Sequence, residues 1–430
     1  MKLPGKPRTM IPKGVATFLP EGTSKRRKIE RKILSIFSRW GYQEVITPIF
    51  EYLDVFSLGV GEDLLNRAYK FVDRATGRMM VLRPDVTPQI ARIAATLLND
   101  QPMPLRLCYS SNVFRHEEEH AGREREIHQI GGELIGPSDA EADAETILLA
   151  IEILQKLELK SFKIALGQMA FTRGVLQPFE ASPTSFKKIL SAVAKKDASH
   201  LEALLKEEKV GQKTRKEVLS LLDLFGGEEV FDAAKPLAHR PACKMGLRRL
   251  REVYEILKRA GHHDSLLIDL GEVRGFDYYT GTIFEIFADG VGSELGGGGR
   301  YDHLLEKFGA PASSTGFALH IERIQWALEQ VAGSGHDYAS ADFLVLHDAE
   351  AASEAVTLSN RLREAGYRVI RRNGLHGEIE PYLSDARKQK IVKILLLTGK
   401  GDRPLRSIDV RTGREEKQPR SEFLEGLRPS

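Results

Sequence analysis

The segment Val273–Phe287 combines polar side chains with a strand in a way that indicates a small polar binding site. It begins with Arg274 and Asp277 around a glycine, and it continues with the adjacent Tyr278 and Tyr279. The apolar run that follows predicts a buried strand. An arginine offers a planar fork of donors for a carboxylate or phosphate, and tyrosines offer ring faces and hydroxyls. A Tyr-rich strand with a surface ion pair is the alternative, and this segment alone leaves both open.

Other polar residues adjoin predicted elements in the first third of the chain. Asp85 and Thr87 precede a helical pattern, so that capping of this helix is the structural alternative to a binding role. The dense charge run between Arg115 and Glu126 lies between two predicted strands, where a solvated hairpin is the ordinary interpretation. Gln129 and Glu133 fall on one face of the second strand, because side chains alternate along a strand.

Three further features carry weak signals. The glycine run Gly296–Gly299 allows close backbone approach to a ligand or a neighbouring strand, but as a phosphate loop it lacks the following Lys-Ser/Thr. His239 and Cys243 lie in a helical region without other polar clustering, and we interpret both as structural. Cys108 and Cys243 have neither metal-site spacing nor a disulfide framework, which fits a reducing cytoplasm.

Composition limits the class of protein. The 430 residues are 42% hydrophobic and 29% charged, which predicts two or three domains with a sizeable core. A formal net charge of +3 is too balanced to indicate nucleic-acid binding by bulk charge. The basic, Pro-rich start has no apolar segment typical of a signal peptide, and no apolar run reaches membrane-spanning length. We therefore expect a cytoplasmic protein without a membrane association.

The elements that must position these side chains can be predicted from periodicity. Residues 24–40 predict an amphipathic helix, and residues 44–51 predict a strand in which Pro48 favours an edge or interface position. Ser138 and Glu141 form a capping-box signature for a helix that reaches about Leu157. The pattern from about 171 to 260 is helical. Beyond a Gly-rich linker the sequence pattern changes to alternating strands and helices. This alternation is typical of a mostly parallel sheet that is covered on both faces.

With the charged segments placed on strands, the chain resembles the histidyl-tRNA synthetases, a class II family with an antiparallel sheet core. Pro48 matches the dimer motif, Phe114–Glu117 the second motif and Gly316–Arg323 the third, while the Arg274–Tyr279 segment resembles the motif specific to histidyl enzymes. The resemblance implies an α+β fold with a synthetase-like core at 1–330, a helical insertion at about 171–260, a linker at 331–341 and an α/β domain at 342–430 like an anticodon-binding domain.

The resemblance also implies which residues line a histidine pocket. Histidine presents an ammonium, a carboxylate and an imidazole, and charge-assisted contacts of about 1.5–3 kcal/mol each would give micromolar binding. We expect carboxylates and other acceptors to receive the ammonium, an arginine to bind the carboxylate, and a glutamate and a tyrosine hydroxyl to bind the imidazole. The implied residues are Asp85, Thr87, Arg115, Gln129, Glu133, Arg274, Tyr278 and Tyr279.

The nucleotide half departs from the synthetase pattern. Arg323 of the third motif is present, but Ile127 stands where an aromatic residue stacks on adenine, and His320 stands where glycine leaves room for ATP. The loop carries Glu118 and Glu119, whose sign is wrong for contacts with phosphate. We interpret Ile127, His320 and Arg323 as a vestigial nucleotide site.

A retained amino-acid pocket beside a damaged nucleotide site resembles a second family, the regulatory subunits of ATP phosphoribosyltransferase. The resemblance implies a non-catalytic partner of a short-form catalytic subunit in histidine biosynthesis, with L-histidine as ligand, a homodimeric core within a hetero-oligomer, and neither cofactor nor metal. An active histidyl-tRNA synthetase is the alternative, and only that alternative implies tRNA as a partner. The C-terminal domain leaves the alternative open, since regulators of this kind often lack it.

Overall fold

The computed structural model describes residues 11–116, 124–179, 182–273, 278–332, 339–375, 378–399 and 403–425. These residues belong to two compact units, within Met1–Ser334 and Gly335–Ser430 respectively. The predicted Arg274, Asp277 and the loop residues Glu118 and Glu119 lie outside the described ranges.

The first unit contains a nine-stranded sheet and a small three-stranded sheet. Its strands are β1 (Gln43–Glu44), β2 (Phe50–Tyr52), β3 (Lys70–Val72), β4 (Met79–Leu82), β5 (Leu105–Phe114), β6 (Glu126–Gly136), β7 (Phe162–Gln168), β8 (Phe225–Gly226), β9 (Leu266–Asp269), β10 (Thr282–Ala288), β11 (Gly296–Arg300) and β12 (Ser313–His320). The large sheet has the order β1-β5-β6-β12-β11-β10-β7-β9-β8, and the small one β2-β4-β3. The large sheet is antiparallel except for the β1–β5 and β7–β9 pairs, which are parallel. The expected α+β core with its mainly antiparallel sheet is thus confirmed.

Except for two short helices at Leu53–Phe56 and Glu62–Asn66, which were not predicted, the helices of the first unit lie in regions predicted as helical. They are α1 (Pro20–Arg39), α2 (Leu53–Phe56), α3 (Glu62–Asn66), α4 (Thr87–Thr96), α5 (Ala140–Lys156), α6 (Met169–Leu176), α7 (Pro183–Ala194), α8 (Ala198–Glu207), α9 (Gln212–Ser220), α10 (Val230–Ala233), α11 (Pro241–Arg259) and α12 (Ile321–Ala332). The long helix α5 begins one residue later than the capping box suggested, because Asp139, not Ser138, accepts the hydrogen bond from the Ala142 amide. Among the helices described, none combines the length and apolar character needed to cross a membrane.

The glycine run forms a central strand. β11 pairs with β10 on one side and β12 on the other. A Cβ atom on Gly298 would lie 2.0 Å from the carbonyl oxygen of Gly316, so that only glycine permits this approach of strands. Of the two uses that the sequence left open, the described geometry therefore places the run against neighbouring strands.

The predicted strand at 44–51 is wrong in its middle. β1 ends at Glu44 and β2 begins at Phe50, and the chain between them is held by side chains. The guanidinium of Arg83 donates to the carbonyl oxygens of Thr47 (2.9 Å) and Pro48 (3.2 Å), and the Gln89 amide also donates to Pro48 (2.9 Å). Pro48 has no N–H for a strand ladder, so that carbonyl acceptance replaces strand pairing here.

The large sheet separates two hydrophobic clusters. On one face, α1, α5, α6 and α11 bury a large cluster that includes Phe37, Ile130 and Leu250. On the other face, a smaller cluster contains Ile90, Ile127 and neighbouring aromatic rings. Alternation along β6 directs Ile130 into the first cluster and the odd-numbered residues towards the second face.

The second unit is a five-stranded sheet with helices. Its elements are β13 (Ala341–His347), α13 (Ala352–Glu364), β14 (Val369–Asn373), α14 (Glu380–Lys388), β15 (Ile391–Leu397), β16 (Leu405–Asp409), β17 (Glu415–Gln418) and α15 (Arg420–Glu425). β13 pairs in parallel with β14 and β15, whereas β15–β16 and β16–β17 are antiparallel. Hydrophobic clusters cover both faces, as predicted for this unit. The predicted mostly parallel pairing is wrong for β16 and β17, since two of the four strand pairs are antiparallel. Residues 331 and 332 of the proposed linker still belong to α12.

Candidate functional site

A cavity of about 190 Å³ lies on the second face of the large sheet. Parts of β6, β10, β11 and β12 form its floor, and the start of α4 and the residues just after β5 contribute to its wall. The lining residues are Arg67, Asp85, Thr87, Arg115, Gln129, Glu133, Val273, Tyr278, Tyr279, Glu285, Glu294, Gly297, Tyr301, Gly316, Phe317, Ala318 and His320. Seven of the eight residues predicted for a histidine pocket are among them, and the eighth, Arg274, lies outside the described residues.

Glu133 is the most buried carboxyl group of the cavity, with 1% exposure. Its Oε1 accepts a hydrogen bond of 2.7 Å from the Thr87 hydroxyl, and its Oε2 accepts one of 2.5 Å from the Tyr301 hydroxyl. Burial raises the pKa of Glu133 to about 8, although both hydrogen bonds favour the ionised form. The carboxyl group can therefore gain or release a proton near neutral pH when a ligand arrives.

Asp85 is the second buried carboxyl group. Its Oδ2 accepts a hydrogen bond of 2.8 Å from the Tyr278 hydroxyl, and its Oδ1 accepts one of 2.9 Å from the Val86 amide. Burial raises the pKa of Asp85, while the Arg115 guanidinium acts in the opposite direction. Asp85 thus has both the helix-start contact and a place in the cavity. Thr87 does not cap α4, because its hydroxyl donates to Glu133 instead.

The remaining predicted residues are also held in place by neighbouring groups. The Arg115 Nε donates to the carbonyl oxygen of Pro84 at 2.8 Å, which fixes the guanidinium beside Asp85. The Gln129 amide nitrogen lies 3.2 Å from His320 Nε2 on the adjacent strand. Oε1 of Gln129 is buried and has no hydrogen-bond partner within the described part of the chain. A buried acceptor of this kind requires a donor, and a ligand in the cavity can supply it.

Among the cavity residues that were not predicted from the sequence, Tyr301 and Gly316 both meet Glu133. Tyr301 follows the glycine strand and reaches Glu133, and Gly316 is the register partner of Glu133 on β12. A Cβ atom on Gly316 would lie 1.7 Å from Oε2 of Glu133. The glycine run and the third motif mark these positions in the sequence, but neither pattern shows that both meet Glu133.

Only one of the three residues interpreted as a vestigial nucleotide site lines the cavity. His320 lines it directly, whereas Ile127 is buried in the hydrophobic cluster of the same face. The Arg323 guanidinium lies 2.8 Å from the carboxylate of Glu294 and 3.7 Å from that of Glu124, and it also donates to the Glu294 carbonyl oxygen. Carboxylates therefore already engage the one arginine of the third motif.

A separate polar cluster lies on the opposite face of β6. Ser110 donates to Glu30 of α1 at 2.6 Å and lies 2.8 Å from His128 Nε2, while His128 Nδ1 contacts Asn112. Burial lowers the pKa of His128 to about 4, so that the imidazole is neutral at physiological pH. The cluster joins α1 to the strand that carries Gln129, and it does not line the cavity.

The cavity suits a small zwitterionic ligand with an additional polar group. Asp85, Glu133, Glu285 and Glu294 supply acidic groups, and arginine side chains supply donors for an anion. In the described ranges, His, Cys, Asp and Glu side chains form no group of three that would hold a metal ion. The arrangement can bind charges of both signs, which is the requirement of a free amino acid.

Sequence comparisons show which proteins this chain is similar to. A family model described as histidyl-tRNA synthetase matches residues 14–324. The ATP phosphoribosyltransferase regulatory subunit of Geobacter metallireducens is 39% identical over 392 residues, which cover 90% of this chain and 89% of that protein. The protein of the same name from Moorella thermoacetica is 44% identical over 322 residues, covering 75% of this chain and 82% of that protein.

Solved structures with a similar fold include proteins of both names. An ATP phosphoribosyltransferase regulatory subunit/histidyl-tRNA synthetase from Bacillus halodurans C superposes with a TM-score of 0.80 at 29% identity, covering 92% of this chain and 99% of that one. A histidyl-tRNA synthetase from Nostoc sp. PCC 7120 also reaches a TM-score of 0.80, over 98% of this chain and 99% of that one. At 21% identity, the second match concerns the fold alone.

Proposed function

This chain belongs to the family of ATP phosphoribosyltransferase regulatory subunits, which has the histidyl-tRNA synthetase fold, and we propose that it binds L-histidine in the cavity on the second face of the sheet. The chain is a non-catalytic regulatory subunit. The observation that carries the proposal is the buried Glu133 carboxyl group between the Thr87 and Tyr301 hydroxyls. Such a group suits an imidazole, which can both donate and accept a proton.

The other groups of the ligand have partners in the same cavity. The α-ammonium is bound by Asp85, the Thr87 hydroxyl oxygen and Oε1 of Gln129. Asp85 retains acceptor capacity after its two hydrogen bonds, because a carboxylate has about four lone-pair sites. The α-carboxylate is bound by Arg115 or Arg274. A tyrosine hydroxyl from Tyr278 or Tyr279 completes the contacts to the imidazole.

The vestigial nucleotide site explains how a synthetase-like fold can lack charging activity. Ile127 offers no aromatic face to adenine, and His320 occupies space beside the amino-acid site. Arg323, which would otherwise be available to phosphate, is engaged by Glu294 and Glu124. A triphosphate would have to displace these carboxylates, and like-charge repulsion opposes that exchange.

The regulatory role follows from differential binding. We infer that the chain assembles with a short-form catalytic subunit in the cytoplasm, activates it and makes it sensitive to histidine. Histidine can shift the assembly between two arrangements only if it binds them with different affinities. The core of the assembly is a homodimer of this chain. Ile46, Ile49 and Phe50 support a dimer at the Pro48 segment, because they are 88%, 51% and 49% exposed.

Histidine binding by the unaltered chain and by two pocket variants tests the proposal. Calorimetry should show micromolar L-histidine binding that Glu133→Ala and Arg274→Ala each weaken by about tenfold or more. The exposed Glu207→Ala provides a matched control and should bind normally. Unchanged affinity in both pocket variants would place the ligand elsewhere.

The alternative function, histidyl-tRNA synthesis, makes a different prediction. A synthetase catalyses histidine-dependent ATP–pyrophosphate exchange, whereas the proposed regulator binds histidine without exchange. Robust exchange activity would end the regulator proposal. Purification of the tagged chain with the catalytic subunit should yield a complex whose phosphoribosyltransferase activity falls on addition of histidine, and an activity insensitive to histidine would contradict the feedback role.

A further inference from the structure

His320 contacts Gln129, and this contact bears on which ligands the cavity selects. The two residues are register partners on β12 and β6, and both are almost completely buried, at 5% and 3% exposure. Gln129 Nε2 lies 3.2 Å from His320 Nε2. The backbone of His320 is fixed as well, because its amide donates to the Leu295 carbonyl oxygen at 2.8 Å.

The chemistry of the two nitrogens assigns their roles. An amide nitrogen carries two hydrogens and accepts no hydrogen bond, so that Gln129 Nε2 is the donor and His320 Nε2 the acceptor. His320 is then the neutral tautomer with its proton on Nδ1. In this arrangement Oε1 is the atom of the Gln129 amide that remains for a ligand, because Gln129 lines the cavity and its buried Oε1 has no partner among the described residues. The opposite amide orientation would direct N–H groups at the ligand.

We propose that His320 is a positioning residue that fixes the Gln129 amide so that the cavity selects ligands with an α-ammonium group. This inference rests on histidine being the ligand of the cavity. A Gln129 amide that could rotate would present its N–H groups and its oxygen to the ligand equally. A fixed amide always presents the oxygen, and a charged donor such as an ammonium group forms the strongest hydrogen bond with it. His320 therefore contributes to ligand selectivity through its hydrogen bond to Gln129.

Calorimetry with two ligands tests the inference on the full-length chain. L-histidine carries the ammonium, and 3-(imidazol-4-yl)propionate lacks it but is otherwise similar. His320→Phe keeps a planar ring without an acceptor and should weaken L-histidine binding by about tenfold, because a hydrogen bond to a charged group is lost. The same variant should change the affinity for the deamino ligand by less than about threefold.

The conservative variant His320→Gln should restore selectivity, because a glutamine oxygen can accept the same hydrogen bond. An equal loss for both ligands in His320→Phe, or no loss for either, would overturn the inference while leaving the histidine proposal intact. Absence of L-histidine binding by the unaltered chain would overturn both.

A spectroscopic measurement on the unaltered protein covers the case in which His320→Phe does not fold. Nitrogen NMR of histidine-labelled protein distinguishes a protonated ring nitrogen from a bare one, and His320→Gln assigns the signal by its loss. The inference requires a proton on Nδ1 and a bare Nε2. A proton on Nε2 would reverse the amide and refute the assignment.

Discussion

The hydroxyl of Tyr301, which follows β11 and is 168 residues away in the chain, donates a 2.5 Å hydrogen bond to Oε2 of Glu133. Both groups are buried at the floor of the cavity. Burial disfavours the ionised carboxylate more than this hydrogen bond favours it, and the pKa of Glu133 therefore rises to about 8. The protonation state of the proposed imidazole partner is thus set by packing.

The raised pKa predicts a pH-dependent stability of the unligated protein. In the folded chain Glu133 retains its proton up to about pH 8, whereas in the unfolded chain it ionises near its ordinary value of 4.5. Its contribution to stability is fully present below that ordinary value and is lost as pH rises through the folded pKa. Between about pH 5.5 and about pH 8.5, we expect the free energy of unfolding of Glu133→Gln to fall less than that of the unaltered chain. Urea unfolding at a series of pH values measures both.

The matched control for this experiment is the exposed Glu207→Gln, which should keep the pH profile of the unaltered chain. Asp85 is present in every variant, so that its own raised pKa does not distinguish them. Identical pH slopes in Glu133→Gln and the unaltered protein would contradict the assigned pKa shift.

Gly316 should tolerate no side chain. A methyl group at this position would lie 1.7 Å from Glu133 Oε2, and the carboxyl group cannot retreat without losing its contacts to Thr87 and Tyr301. We expect Gly316→Ala to cost about 1–3 kcal/mol of stability through overpacking and to abolish measurable histidine binding. Thermal unfolding and calorimetry measure the two effects. Gly292→Ala, where no atom lies within 4 Å of the new methyl group and the backbone is not left-handed, should be nearly neutral.

A buried ion pair next to the cavity strands should contribute more to stability than any exposed pair. Arg300 Nε and Nη2 lie 2.7 Å from Oδ1 of Asp143, and both residues are buried. Asp143→Ala leaves this arginine charge without its main partner and should cost about 3–5 kcal/mol in urea unfolding. Glu202→Ala removes the exposed pair with Lys206 and should cost less than about 1 kcal/mol. Similar losses in both variants would refute the ranking.

The proposed homodimer depends on apolar side chains beside Pro48. In the single chain Ile46 is 88% exposed, and Ile49 and Phe50 are 51% and 49% exposed. Ile46→Asp would place a charge in the proposed interface, so that we expect a shift from dimer to monomer in sedimentation velocity. Met245→Asp changes another exposed apolar residue, 63% exposed on α11, and should remain dimeric. A monomeric unaltered chain would contradict the dimer.

Local periodicity in the sequence was sufficient to predict part of the cavity floor. Alternation along β6 placed Gln129 and Glu133 on the same face, and both line the cavity. The helical insertion and the α/β texture of the second unit were also visible as periodic patterns. These features depend on residues that are close together in the chain, and a periodic sequence pattern reflects such local relationships.

Features that depend on distant contacts were not predictable in the same way. Tyr301 and Gly316 meet Glu133 only because β11 and β12 pair next to β6, and no local pattern encodes that register. The interruption of the strand near Pro48 depends on the Arg83 guanidinium, which reaches it from another segment. Asp139 replaced Ser138 as the helix cap because both are good capping residues, and the sequence did not distinguish them.

The vestigial nucleotide site makes the most demanding prediction. If His320 and the carboxylate of Glu294 together prevent nucleotide binding, the double variant His320→Gly and Glu294→Ala should bind ATP measurably, whereas the unaltered chain should not. Both residues line the cavity: the glycine restores space, and loss of the carboxylate releases Arg323 from its 2.8 Å contact. Each single variant should gain little, because the other obstacle persists. Calorimetry with ATP measures the gain, and Glu207→Ala serves as the control. Tight ATP binding by the unaltered chain would show that these two residues are compatible with a nucleotide and would contradict their assignment.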